Sequence, residues 1–254
     1  MADLWISRPG AELACWVRGD GPPVGYAHGM LLSRGAEDTR GLHDWSPVIT
    51  ERRLVRYDAR AHGASTGRPV AEDYTWSHLA DDLIAVAETV GEGAPIDFMG
   101  ASMGCGTLLW AASRAPERFR RLVLIIPPTT GATRVNARLY LAEAAAVERG
   151  TPAPPSAPPP IFASLPSYPQ KAAVDLDLLP SVLRGAAASD LPDRDVLGRV
   201  QNDTLILAWE TDPVHPVSSA HLLHEVLPHA KLQVATVEAE VRRWPEDVAE
   251  YLNS

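Results

Sequence analysis

Residues 100–104, near the middle of the chain, read Gly-Ala-Ser-Met-Gly and match the pattern G-x-S-x-G. A run typical of a β-strand, Ile96–Gly100, precedes this stretch, and a mostly apolar helical run, Met103–Ser113, follows it at once. In that setting the glycines allow a sharp strand-to-helix turn that lifts the serine hydroxyl above a sheet, where a helix N-terminus favours negative charge. We therefore predict that Ser102 is a nucleophile; the alternative is a Gly/Ser turn without chemistry.

Outward from this turn, apolar runs alternate with amphipathic stretches, which favours an α/β fold. We predict a mostly parallel twisted sheet with helices on both faces and an antiparallel edge at the N-terminus. The predicted strands are Leu4–Ser7, Leu13–Val17 and Val24–Ala27, taken as antiparallel, then Arg53–Tyr57, Ile96–Gly100, Leu122–Ile126, Thr204–Ala208 and Leu232–Ala235. The predicted helices of this core are Trp76–Val90, Met103–Ser113, Val217–Val226 and Trp244–Leu252.

Residues 130–200 interrupt this alternation. Val135–Arg149 and Lys171–Ala188 have the composition of helices, the second interrupted near Pro180, and Thr151–Pro160 between them holds six prolines. So many prolines exclude a regular helix and favour an irregular strap. We predict one domain over residues 1–254 with a helical, Pro-rich cap inserted at 130–200; the alternative is a structureless loop, which is uncommon at this length.

Composition narrows the range of partners. The formal net charge is −9, and no basic run is present, which argues against nucleic acid and against an anionic membrane surface. Only Cys15 and Cys105 occur, so we expect reduced thiols and a cytoplasmic protein without a disulfide framework. No dinucleotide or phosphate-binding motif and no metal-ligand spacing is found, so we expect a small-molecule substrate and no cofactor or metal. The oligomeric state stays open.

Three further segments, together with the Ser102 turn, resemble the α/β-hydrolase superfamily, in its branch of small capped esterases, thioesterases and lactonases. Tyr26–Met30 is similar to the family's HG motif, Asp58–Ser65 to its D-x-R-G-H-G-x-S turn with Ala61 in place of glycine, and Trp209–Pro216 to the segment that carries its acid. The resemblance implies an α/β-hydrolase fold, an oxyanion hole formed by the backbone N–H groups of Met30 and Met103, and Asp212 as the acid.

One family feature is missing. The histidine that usually follows the last strand is absent from Val234–Pro245, where Glu238 and Glu240 lie near its position. His229 precedes the last strand, in a turn that we expect to be exposed. Three alternatives remain: His215 acts as the base, Glu238 or Glu240 serves instead, or the triad is degenerate. The distinction matters, because removing the base of a serine triad costs about 10⁶ in turnover.

The function expected from these residues is that of an acyl hydrolase acting on a small ester, thioester or lactone. Its site would comprise Ser102, Asp212 and His215, with Met30 and Met103 at the oxyanion. The alternative function is a non-hydrolytic protein of the same fold, either lyase- or isomerase-like or ligand-binding, that acts on a hydrophobic metabolite. We expect His28 and His62 to brace turns and Cys105 to be a core residue.

Overall fold

The computed structural model describes residues 3–41, 43–131, 134, 136–151, 172–212 and 214–254. Its strands are β1 Leu4–Arg8, β2 Ala11–Arg18, β3 Pro23–Ala27, β4 Arg53–Tyr57, β5 Ile96–Ala101, β6 Phe119–Ile125, β7 Asp203–Trp209 and β8 Ala230–Ala235. Its α-helices are α1 Arg34–Arg40, α2 Ser46–Ile49, α3 Trp76–Gly91, α4 Met103–Arg114, α5 Asn136–Glu148, α6 Leu179–Ala187, α7 Arg194–Leu197, α8 Val217–Val226, α9 Glu238–Arg242 and α10 Trp244–Asn253. Short 3₁₀ helices span Ala71–Tyr74 and Pro116–Arg118.

The eight strands form one sheet in the order β1-β2-β4-β3-β5-β6-β7-β8. β1, β2 and β4 pair antiparallel, and all other neighbours pair parallel. The predicted α/β-hydrolase fold with a mostly parallel sheet is therefore confirmed.

The prediction that Val24–Ala27 belongs to an antiparallel edge is wrong. β3 lies inside the sheet and pairs parallel with both β4 and β5. The physical reason is the connection that follows it: residues 28–52 contain α1 and α2, and a crossover of that length joins parallel strands. β4 also separates β3 from β2, so the short turn at residues 19–22 does not close a hairpin.

Alternation along the strands builds a core on each face of the sheet. Phe98 and Leu122 point to the face covered by α3, α4 and α8, whereas Met99 and Val123 point to the face covered by α2 and α10. Since both faces of the central strands are buried, β5 and β6 read as nearly continuous apolar runs. The sheet thus fixes the carboxyl ends of β3, β5 and β7, which carry the segments considered below.

Residues 130–200 are described in part. α5 packs against α6, and α6 packs against the Ala71–Tyr74 turn. Pro180 lies in the first turn of α6, where a missing N–H costs nothing, so it begins this helix and does not interrupt it. The helix predicted over Lys171–Ala188 is wrong for 172–178, which form a turn with a bridge from Val174 to His62, and Lys171 lies outside the described residues.

The greater part of the proline-rich stretch, 152–160, also lies outside the described residues, as does Val135 at the start of the predicted helix Val135–Arg149. The inserted cap and the single domain over residues 1–254 stay predictions. Of the described helices, none combines the length and the apolar character that crossing a bilayer requires.

Candidate active site

Ser102 occupies the turn between β5 and α4 in a strained conformation, with φ 51° and ψ −109°. Two glycines make this turn possible. A β-carbon on Gly100 would lie 2.4 Å from the carbonyl oxygen of Gly104, and one on Gly104 would lie 2.2 Å from the carbonyl oxygen of Ala27 in β3. The N–H of Ser102 donates to the carbonyl of Ile125 at 3.0 Å, which anchors the turn to β6.

Backbone strain is concentrated around this turn. Leu31, Ser102 and Ile126, none of them glycine, have φ values of 61°, 51° and 46°. Such conformations cost on the order of 1–3 kcal/mol each and persist where the surroundings impose them. Ile126 is the least expected of the three because it is β-branched, and it is held by a 2.7 Å hydrogen bond from its N–H to the carbonyl of Leu207. Strain of this kind is typical of functional sites.

The Ser102 hydroxyl lies 2.7 Å from Nε2 of His215. The other ring nitrogen of His215, Nδ1, lies 2.9 Å from Oδ2 of Asp212. A hydroxyl, an imidazole and a carboxylate therefore form one chain of hydrogen bonds, in which the ring can accept the serine proton when its own proton is on Nδ1. This contact is the one expected if His215 acts as the base, which was the first of the three alternatives.

His215 lies only three residues after Asp212, and the loop after β7 has to curl for the His215 ring to contact the Asp212 carboxylate. Oδ1 of Asp212 accepts hydrogen bonds from the N–H groups of Val214 at 2.8 Å and His215 at 2.9 Å, which curls the backbone around the carboxylate. Oδ2 remains free to meet the ring. The local geometry is that of an aspartate capping a turn, with the side chain of the turn residue added as a third donor.

Burial alone would raise the pKa of the Asp212 carboxyl. The hydrogen bond and the charge of His215, with the two backbone N–H groups, outweigh burial and hold that pKa below its usual value. Asp212 is therefore ionised at neutral pH.

Two backbone segments flank the serine hydroxyl. Gly29 lies against it, since a β-carbon on Gly29 would be 3.6 Å from Cβ of Ser102. Met103 is the first residue of α4, so its N–H has no acceptor within the helix. Met30 and Met103 both line the pocket that contains Ser102 and His215. The predicted oxyanion donors are therefore neighbours of the nucleophile.

His28 and His62 brace the loops beneath the site. Nε2 of His28 accepts the N–H of Ala59 at 2.9 Å, and Nε2 of His62 accepts the N–H of Leu31 at 3.3 Å. Their Nδ1 atoms lie 2.7 and 2.8 Å from the carbonyls of Gly29 and Arg60. Burial lowers the pKa of His28 to about 4 and that of His62 to about 3, so both rings are neutral. The structure agrees with the expectation that they hold turns.

The other candidates lie elsewhere. Glu238 pairs with Arg242, and Glu240 accepts from the N–H of Thr236, so both carboxylates stabilise the start of α9. His229 is exposed in the turn before β8. Cys105 is buried under the turn, and its thiol contacts the carbonyl of Gly100 at 3.0 Å. Burial raises the pKa of that thiol far above its usual value, as expected for a core residue.

The pocket beside Ser102 also contains residues that the sequence did not single out. It is lined by Met30, Trp76, Ser102, Met103, Pro128, Thr129, Arg134, Tyr140, Val214 and His215. Six of these ten residues are apolar or aromatic, but polar atoms form more of the surface that faces the cavity, and Arg134 adds a guanidinium. No motif pointed to Arg134 or Tyr140, because residues 130–200 match no recognisable pattern. Within the described residues, no group of three or more His, Cys, Asp or Glu side chains could hold a metal ion.

Comparison with known proteins identifies the family of this chain. The model of the alpha/beta hydrolase fold family matches residues 23–156, more than half of the chain. The chain belongs to the α/β-hydrolase family. It is similar to 3-oxoadipate enol-lactonase 2 of Acinetobacter baylyi, with 30% identity over 191 residues that cover 71% of this chain and 69% of that protein.

Solved structures show the same fold. A thermophilic esterase from Thermogutta terrifontis superposes with a TM-score of 0.75 at 21% identity, over 96% of this chain and 92% of that one. The enol-lactonase from Burkholderia xenovorans LB400 superposes with a TM-score of 0.71 at 20% identity, over 99% and 100%. At these identities the likeness concerns the fold, and the chemistry has to be argued from the site.

Proposed function

We propose that this protein is a serine acyl hydrolase that cleaves a small ester, thioester or lactone with Ser102, His215 and Asp212. The observation that carries the proposal is the 2.7 Å contact between the Ser102 hydroxyl and Nε2 of His215. A serine hydroxyl is a poor nucleophile unless a neighbouring base takes its proton, and this imidazole is within reach. The similarity to 3-oxoadipate enol-lactonase 2 supports the same class of reaction.

Acylation is the first step of the proposed reaction. Oγ of Ser102 attacks the substrate carbonyl carbon while its proton passes to Nε2 of His215. The N–H groups of Met30 and Met103 stabilise the oxyanion, and Asp212 stabilises the imidazolium and keeps the remaining ring proton on Nδ1. When the tetrahedral intermediate collapses, the bond to the leaving group breaks and Nε2 returns the proton to that group. An acyl ester on Ser102 remains.

Deacylation repeats these steps with water. Nε2 of His215 takes a proton from a water molecule, whose oxygen attacks the acyl carbonyl, and the same two N–H groups hold the second oxyanion. The intermediate then releases the carboxylic acid, and Ser102 regains its proton from His215. In a lactone the leaving alcohol stays attached to the acid, so the product is a single hydroxy acid.

Hydrolysis of short p-nitrophenyl esters tests the proposal, together with labelling by a fluorophosphonate that is read as an intact-mass shift. We expect turnover and single labelling, both lost in Ser102→Ala. Ser113→Ala is the matched control, because Ser113 also lies on α4 but its hydroxyl donates to the carbonyl of Trp110. An unlabelled Ser102 without ester turnover would overturn the proposal in favour of the non-hydrolytic alternative.

A further inference from the structure

Arg134 brings a positive charge into the Ser102 pocket. Its guanidinium lies over the ring of Trp76, 4.3 Å from the centroid, and both side chains line the pocket with Ser102 and His215. Nη1 donates to the carbonyl of Thr129 at 3.4 Å, and Nη2 donates to the carbonyl of Ala186. These bonds hold the group in one orientation between the loop after β6 and the helix α6.

The charge of Arg134 is not matched by an ion pair within the described residues. None of their carboxylates lies within 4.0 Å of the guanidinium, and the buried Nε has no acceptor among them. Two neutral carbonyls satisfy hydrogen bonds but do not cancel a charge. Burial of the group accordingly lowers the pKa of Arg134, against the attraction of Asp190.

Asp190 is the carboxylate that attracts Arg134 electrostatically, but its oxygens accept hydrogen bonds from other groups. Its oxygens accept from the hydroxyl of Thr130 at 2.7 Å and from the N–H of Gly131 at 3.0 Å, and Oδ1 also accepts from the N–H of Leu191 at 2.7 Å. These donors fix Asp190 at the base of the loop. A guanidinium keeps its charge at any accessible pH, so Arg134 offers a positive charge that an anion in the pocket can pair with.

We propose that the substrate carries a free carboxylate that pairs with Arg134 while its acyl carbonyl lies at Ser102. The inference rests on the proposed function and deepens it, since it names the substrate class as half-esters, thioesters or lactones of dicarboxylic acids. The planar guanidinium suits a carboxylate, and stacking on Trp76 presents its edge in a defined direction. Met30, Met103 and Val214, which also line the cavity, would contact the methylenes between the two ends.

The overall charge of the molecule helps to distinguish a carboxylate-binding role of Arg134 from a mechanical one. With a net charge of −9, the protein repels anions at long range, so general electrostatic attraction gives no preference for an anionic substrate. If the enzyme prefers the substrate with a carboxylate, that preference therefore indicates a positive charge within the pocket. The alternative role for Arg134 is mechanical: its bonds to Thr129 and Ala186 would hold the loop to α6 without contacting substrate.

Two substrates that differ only in charge separate these roles. Mono-4-nitrophenyl glutarate is the anionic one, and its methyl ester is the neutral one. We expect a higher kcat/KM for the anionic substrate in the wild type. Arg134→Gln should lower the ratio of the two values about 10- to 100-fold, mainly through KM, because a hydrogen bond to a charged group contributes about 1.5–3 kcal/mol. Arg134→Lys should keep part of the preference.

The matched control is Arg138→Gln, because Arg138 is an exposed arginine of α5 and should leave the ratio unchanged. Since Arg134→Gln also removes two bonds to carbonyls, a second measurement uses the wild type alone. Glutarate should competitively inhibit hydrolysis of the neutral ester, and glutaramide, its neutral analogue, should inhibit far less.

The outcomes separate the two proposals. Equal kcat/KM for both substrates, with equal inhibition by glutarate and glutaramide, would overturn the carboxylate site and leave the hydrolase intact. No Ser102-dependent turnover of either substrate would overturn the proposed function itself. A ratio that falls equally in Arg134→Gln and Arg138→Gln would also count against the site.

Discussion

His215 is the residue on which the proposed chemistry depends, because its ring joins Ser102 to Asp212. We expect His215→Ala to lower kcat on p-nitrophenyl acetate by about 10⁴–10⁶-fold with little change in KM, since the ring moves a proton and need not contact the acyl chain. His229→Ala is the control, because that exposed histidine of the same region should leave kcat unchanged. Steady-state kinetics of the two variants, normalised to folded protein, makes the comparison.

Glu240 offers a second comparison between single residues, with His215. Its carboxylate caps the start of α9 by accepting from the N–H of Thr236, so Glu240→Gln should retain kcat within about twofold. If Glu240→Gln lost activity and His215→Ala kept it, the base would be the carboxylate and the assignment to His215 would be wrong.

Asp212→Asn tests how the carboxylate sets the tautomer of the ring. The amide oxygen would take over the hydrogen bonds from the N–H groups of Val214 and His215, which turns the NH₂ toward Nδ1. Nδ1 must then accept, so the ring proton moves to Nε2 and that atom can no longer take a proton from Ser102. We expect kcat to fall about 10⁴-fold at pH 7 with an unchanged circular dichroism spectrum. An unchanged kcat would contradict this role.

Single residues could be predicted from the sequence to different extents. Ser102 is marked by two glycines and by the strand and helix on either side of it. Asp212 follows from its order after Ser102. His215 remained one of three alternatives, because only the curl of the backbone around Oδ1 of Asp212 shows that the ring reaches Oδ2. Arg134 has no sequence signal, since it meets Trp76 only through the tertiary fold.

At the scale of elements, α4 can begin directly after Ser102 only because the helix approaches β3 without a side chain between them. A β-carbon at Gly104 would lie 2.2 Å from the carbonyl oxygen of Ala27, and rigid backbone cannot move away as a side chain would. We expect Gly104→Ala to lower the free energy of unfolding by about 1–3 kcal/mol and to reduce kcat, because the helix has to shift away from the oxyanion donors.

Gly35→Ala is the matched control, also at a helical glycine. A β-carbon there meets only the hydroxyl of Ser33 at 4.0 Å, so the variant should be neutral or slightly more stable. Urea unfolding measures both. Equal stability of the two variants would show that the close approach of α4 to β3 is not needed for this turn.

The elements themselves were largely predictable, whereas their pairing was less so. The strands and long helices lie close to the predicted bounds, since periodicity of 2 or 3.6 residues marks them directly. β3 was predicted as antiparallel because it follows two hairpin-like segments, and nothing in its five residues tells which neighbours it takes. The crossover through α1 and α2 decides that pairing, and these helices are too short to give a clear period.

For the whole molecule, four motifs in order were enough to predict the fold, because a sheet that places them at the carboxyl ends of parallel strands satisfies all of them together. The region 130–200 is different. Its helices α5 and α6 bury Ala144, Val182 and Leu183 against Ala61 and Tyr74, which are contacts between distant parts of the chain. Such contacts leave no local pattern, so the packing of this region against the rest of the chain could not be predicted from the sequence.

The stability of the whole molecule should depend on the neutral histidines under the site. Burial lowers the pKa of His28 to about 4 and that of His62 to about 3, and the rings lie 5.1 Å apart, so protonating one disfavours protonating the other. In the unfolded chain both have a pKa of about 6.5. Between about pH 6.5 and pH 4 the unfolded state therefore binds more protons than the folded state, and stability falls as the pH is lowered.

Each of these two histidines should remove about 1.6 kcal/mol of stability on going from pH 6.5 to pH 5, because the unfolded state is half protonated at pH 6.5 and a full proton contributes about 1.36 kcal/mol per pH unit. Urea unfolding at a series of pH values measures this slope. His62→Gln is expected to be less stable at pH 7, because it disturbs the bonds to Leu31 and Arg60. The stability of this variant should nevertheless fall less steeply on acidification, with a slope that is smaller by up to one proton. His229→Ala should keep the wild-type slope, since that histidine is exposed. Parallel curves for the wild type and His62→Gln would mean that His62 takes up its proton as readily in the folded state as in the unfolded state, and its role as a neutral brace would have to be abandoned.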